Sequence, residues 1–175
     1  MKYLLTAVSV ILATILQVTV FPSIPYLGTT PNILLVITVS FSIMYGQMHG
    51  LFTGLICGMI LDFYTGTLPG YNAMIFACIG FINGSFTKTY DYEDYKLPAF
   101  VIILSDLVYG VVVYVTSFMI GGGLSPQQAL VHVIIPEVVF TGLVTVFLYP
   151  VLIYFERRAA AHSRGRTRKF TSEES

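Results

Sequence analysis

Three acidic side chains, Asp62, Asp106 and Glu137, stand inside or at the ends of strongly apolar stretches, and no Lys or Arg shares those stretches with them. A carboxylate at membrane depth costs about 3 kcal/mol to insert unless it is protonated, hydrogen-bonded or paired. Such a group can hold backbone N–H groups, as expected of Asp62, serve when protonated as a hydrogen bonder between helices, as expected of Glu137 and Asp106, or present charge to a partner. Asn72 adds a fourth intramembrane polar group. His49 falls in a turn and His132 at the polar start of a segment, where neither needs a catalytic role. Cys57 and Cys78 lie singly in apolar segments and read as small packing residues without metal-ligand spacing. There is no G-x-S-x-G, HExxH, phosphate-binding loop or dinucleotide fingerprint. An intramembrane protease would need paired Asp or Ser–His motifs that are missing here. The expectation is a protein that is not an enzyme, with no cofactor and no metal.

Asp62 sits at the end of the most ordered pattern in the chain. Gly50, Gly54, Gly58 and Asp62 recur every four residues in GQMHGLFTGLICGMILDFYTGTLPG, from Gly46 to Gly70. On a helix this stacks three glycines and a carboxylate along one stripe. In lipid, where apolar surface gains little by leaving its surroundings, glycine stripes let backbones approach and pack. The stripe reads as packing within the chain rather than as a dimer seam. Asp62 can accept from the backbone of the TGTLPG loop, with Thr65 and Gly66 as the expected donors. Alternatively it presents its charge to a partner. On the first reading Asp62→Asn is nearly tolerated.

The elements that must carry these groups follow from hydropathy. The chain has 175 residues, 55% of them apolar and 10% charged, with a mean hydropathy of +0.80, which a soluble domain of this length does not need. The pattern predicts an all-α membrane protein, one compact bundle of six transmembrane helices over residues 1–156. The spans fall at about 3–21, 32–45, 48–63, 71–86, 98–120 and 133–155. The first run is long enough for a retained span, and no A-x-A cleavage site follows it. Pro31-Asn32 restarts the chain, and Gly46 caps the second helix before a tight hairpin into the third. These two helices reach only about 21–24 Å, short of a ~30 Å hydrocarbon core, so local thinning or shielding by protein is expected. Ser125-Pro126-Gln127-Gln128 reads as a helix start, and Pro136 should kink the helix that follows, with Pro150 a second weak point. Residues 157–175 form a basic tail expected to be disordered.

Six spans put both termini on one side. On that topology all nine Lys and Arg (Lys2, Lys88, Lys96, Arg157, Arg158, Arg164, Arg166, Arg168 and Lys169) share the side of the termini, and the opposite loops hold none. This is a complete positive-inside bias, so both termini are expected in the cytoplasm. The tail then touches lipid rather than nucleic acid. Twelve Tyr and no Trp suit a tyrosine interfacial belt. Counted from its nearest loop, Asp106 lies about 12 Å from the inner boundary. Asp62 and Glu137 lie toward the outer one, so the three acids are not expected to form one site.

Pro31-Asn32 before an apolar helix, followed by GLFTGLICGMILDFYTGTLPGYNA, resembles the rod shape-determining protein MreD family. Its glycine-spaced helix leads into a G-x-x-x-D-x-x-[ST]-G-x-x-x-G core, here Gly58, Asp62, Thr65, Gly66 and Gly70. Pro69 departs from the pattern, and beyond Asn83 the likeness is mainly hydropathy. The resemblance implies a non-enzymatic component of the bacterial inner membrane and of the wall-elongation complex. Its direct partner would be an MreC-like bitopic protein. Indirect partners would be a RodA-type glycosyltransferase, a class B penicillin-binding protein and MreB. Six short glycine-packed helices also resemble the substrate-binding subunit of energy-coupling-factor vitamin transporters, with Asp62, Asn72 and Glu137 lining a pocket.

Overall fold

The computed structural model describes residues 2–20, 30–66, 68–87, 96–121 and 134–173. They form six helices and, among the described residues, no strand: α1 (Lys2–Ile15, continued by a π-helical turn Leu16–Val20), α2 (Ile33–Tyr45), α3 (Gln47–Thr65), α4 (Tyr71–Gly84), α5 (Lys96–Gly121) and α6 (Ile135–Glu173). Among the described residues three stretches are long and apolar enough to cross a bilayer: Gln47–Thr65, Leu97–Met119 and Ile135–Phe155. The stretches Tyr3–Thr19, Ile33–Tyr45 and Tyr71–Gly84 are apolar but shorter.

α2 is the centre of the bundle. Every residue from Ile33 to Met44 is buried, so this short helix is shielded by protein on all sides. Asn32 caps its start, its side-chain oxygen accepting from Leu35 N at 3.2 Å, and Gly46 N–H closes its end on the Ser42 carbonyl at 2.8 Å. Residues on α1, α3, α4, α5 and α6 pack around it, while these outer helices turn Leu4, Phe52, Met74, Phe100, Met119 and Phe147 outward. With lipid as solvent, that outward apolar surface is the ordinary state.

α3 and α4 are the most closely packed pair. A β-carbon on Gly50 would overlap the backbone of Gly80. One on Gly54 would overlap Phe76 and Ala77, and one on Gly58 would overlap Asn72 and Ala73. Gly80 and Gly84 meet the backbone of Gly50 and Gln47 in return. The two helices therefore touch main chain to main chain along their whole length.

Polar ties fix the directions of the helices. Near one end, Thr6 Oγ1 pairs with His49 Nε2 at 2.9 Å, Gln47 donates to Ser85 Oγ at 2.6 Å, and Thr87 donates to the Ser42 carbonyl at 3.2 Å. Near the other, Leu34 N donates to Gln17 Oε1 at 3.0 Å and Asn32 N to Thr141 Oγ1 at 3.1 Å. A β-carbon on Gly110 would meet Ile134, and one on Gly142 would meet Ile103, so α5 and α6 run antiparallel. α1 starts at the same end of the bundle at which α6 leaves it.

α6 is helical backbone through Glu173, beyond the end near 155 expected for the last span. Glu, Ala, Arg and Lys make up much of residues 156–173 and favour a helix there. α6 runs on through Pro150, while the residues before Ile134 that would show a kink at Pro136 lie outside the described residues. The predicted helix start at Ser125–Gln128, and His132, lie outside the described residues.

Candidate functional site

The site begins with how α4 starts. Gly70 is its N-cap residue and offers no side chain to the free N–H groups of the first turn. Asp62, one helix earlier, supplies the acceptors. Its Oδ2 accepts from Gly70 N at 2.8 Å and from Ala73 N at 3.3 Å, and its Oδ1 accepts from Asn72 N at 2.9 Å. Asp62 is 2% exposed. A carboxylate at a helix N-terminus satisfies orphan donors and meets the positive end of the helix dipole. The connection makes this possible through two glycines in the left-handed region, Gly66 at φ 66° closing α3 and Gly70 at φ 96° opening α4. No neighbour crowds either one, so backbone conformation rather than space asks for glycine there.

Gly70, the last residue of the TGTLPG loop, is one of these donors, and the start of α4 adds Asn72 and Ala73. Thr65 sends its hydroxyl back to the Leu61 carbonyl at 2.8 Å, which rounds off α3. The first turn of a helix offers several convergent N–H groups at one place.

From Asp62 the polar groups continue inward. Asn72, whose N–H serves Asp62, accepts from the Tyr109 hydroxyl at 3.0 Å through Oδ1. The Tyr109 ring packs edge-on against Phe76. Around Tyr109, within electrostatic range, stand Glu137, Tyr71, Asp106 and Asp62. Asp106 also lies within range of Glu137, and the Thr141 hydroxyl lies beside it. Neither Asp106 oxygen reaches a partner in hydrogen-bonding geometry. Thr141 in turn accepts from the start of α2.

The three acids expected to stand apart therefore gather around one tyrosine. Counting depth along α5 from its nearest loop hid this. Gly110 packs against Ile134, so the middle of α5 lies against the start of α6, and Asp106 falls level with Glu137 and Thr141. Tyr109, Thr141, Asn32 and Gln17 did not stand out in the sequence as parts of a site. The signal lay in same-face spacing, with Asp106 and Tyr109 three apart and Glu137, Thr141 and Thr145 four apart in apolar helices.

Elsewhere, Asn83 Nδ2 donates to Ser105 Oγ at 3.0 Å at the floor of an apolar groove of about 540 Å³ between α4 and α5, walled by Ile79, Ile82, Phe100 and Leu104. His49 lies among the rings of Tyr3 and Tyr45, with centroids 5.3 and 4.8 Å away. Cys57 is buried and Cys78 exposed, both free. Among the described residues no three His, Cys, Asp or Glu side chains stand close enough to hold a metal ion.

Comparison with known proteins gives one match. No curated protein and no solved structure matches the chain, and the transporter-subunit alternative finds no support there. The family model of rod shape-determining protein MreD matches residues 1–159, which take in the bundle from α1 into α6. α1 to α5, the first part of α6, the glycine-packed α3–α4 pair and the Asp62 cap all lie within that match, and the chain belongs to the MreD family.

Proposed function

We propose that this rod shape-determining membrane protein acts without catalysis, in the bacterial inner membrane, as a six-pass component of the complex that elongates the lateral wall. It binds an MreC-like single-span protein. Through that partner it is joined to a RodA-type glycosyltransferase, a class B penicillin-binding protein and MreB. The observation that carries the reading is the family match over residues 1–159. Support for the topology comes from the alternation of helix direction, with both ends of the bundle's chain at one face, and from the placement of every Lys and Arg on that side in the sequence. Both termini are then cytoplasmic, and the end holding Asp62 and Glu137 faces outward.

Within that role Asp62, Thr65, Gly66 and Gly70 build the turn, and Gly50, Gly54 and Gly58 build the seam. A carboxylate that is buried and already engaged with three backbone N–H groups has little left to present to a partner. The geometry therefore favours a structural over a charge-presenting role for Asp62. The α3–α4 pair becomes a stiff hairpin against which other helices are set.

Depletion of the protein should turn rods into spheres, and a tagged copy extracted in mild detergent should bring a single-span MreC-like protein with it. Depleted cells that keep their rod shape, or a tagged copy that elutes with no such partner from cells expressing one, would contradict the proposal.

A further inference from the structure

Asp106 is 1% exposed, and both of its carboxylate oxygens are buried with no hydrogen-bond partner. The charged and titratable groups near it, among the described residues, are all acidic. Glu137 reaches toward it from α6, Tyr109 stands one turn away on α5, and Tyr71 and Asp62 stand across Tyr109 from α4 and α3. From α2 only the uncharged Asn32 reaches the Thr141 beside it. No Lys or Arg occurs between Lys2 and Lys88 or between Lys96 and Arg157. An ionised carboxylate held in this way lacks a counter-charge among the described residues and has the Thr141 hydroxyl as its nearest donor, too little to offset the cost of a charge in a low-dielectric interior. The Tyr71 hydroxyl, likewise buried without a partner, shows that the unpaired polarity extends beyond one side chain.

We propose that Asp106, with half-buried Glu137 beside it, is an intramembrane proton-binding site. The proton comes from water at the end of the bundle where Glu137 lies, and one carboxyl of the pair carries it as a neutral acid. The bound proton turns an acceptor-only group into one with an O–H donor. That donor can be satisfied by the second carboxylate or by the Thr141 oxygen. Among the described residues no third metal-ligating side chain joins the pair. Asp106 is set where α5 and α6 meet the start of α2, so its occupancy bears on how the α5–α6 pair sits against the central helix.

The test is infrared spectroscopy of the whole protein in nanodiscs at pH 7, with choline chloride as the only salt. The wild type should show a protonated-carboxyl C=O band that Asp106→Asn or Glu137→Gln removes or displaces. If Asp106→Asn does not fold, Asp106→Glu keeps the acid and should shift the band's frequency. Absence of the band in the wild type would overturn the proposal. So would a band that stays unchanged in every variant. A melting temperature raised by sodium but not by choline, in a protein without the band, would assign the site to a metal cation instead.

Discussion

At the scale of the single residue, Asp62 carries the sharpest consequences. It holds three backbone N–H groups with two oxygens, so any replacement leaves some of them unpaired in a buried place. Removing one partner of a buried hydrogen bond costs about 1–3 kcal/mol, and more when the partner is charged. Asp62→Leu should lower the folded fraction by at least that much, read as the unfolding midpoint in detergent and as protein level in the membrane. Asp62→Asn should also be damaging, by about 1–2 kcal/mol. One of its side-chain atoms becomes an NH2 group aimed at N–H donors. The near-tolerance of Asn expected from the sequence applied to a turn with fewer donors. An Asn variant with the wild-type unfolding midpoint would contradict the capping account. That Asp62 would hold backbone of the following loop was legible from its place before TGTLPG, and Gly70 is such a donor. Asn72 and Ala73 were not legible as donors, because pairing across a loop depends on how two helices dock rather than on nearest neighbours in the chain.

At the scale of the element, the α3–α4 seam makes a comparison within two adjacent positions. Gly54 faces the backbone of Phe76, which cannot move without moving α4, whereas Leu55 is among the exposed apolar residues. Gly54→Ala should already cost about 1–3 kcal/mol through overpacking, and Gly54→Leu should prevent accumulation. Leu55→Ala should fall within about 0.5 kcal/mol of wild type. Equal effects of Gly54→Ala and Leu55→Ala on the unfolding midpoint would contradict the seam. The stripe was readable because helical periodicity fixes which residues share a face. Its partner surface on α4, Gly80 and Gly84, carries the same four-residue spacing. The convergence of Asp106 and Glu137 was hidden for the opposite reason: the register between α5 and α6 is set by packing, and neither helix states it alone. The complete burial of α2 was likewise only half visible, since a helix apolar on all sides reads the same whether protein or lipid surrounds it.

At the scale of the whole molecule, six alternating helices place the start of α1 and the end of α6 at one face. A reporter fused after Ser175 should be active only when it is one that works in the cytoplasm, and activity of a periplasmic reporter there would contradict the topology. The proposed function makes one central claim, resting on family membership, the glycine seam and the Asp62 cap: the α3–α4 hairpin is the rigid part through which this protein would sustain rod shape. Its most direct test is replacement of the chromosomal copy by Gly54→Leu, Asp62→Leu and Leu55→Ala, scoring cell shape, membrane level and recovery of the MreC-like partner together. The account predicts rods with the partner recovered for Leu55→Ala, and rounded cells with the partner lost for the other two. Rod-shaped cells with normal protein level and partner recovery for both Gly54→Leu and Asp62→Leu would contradict it.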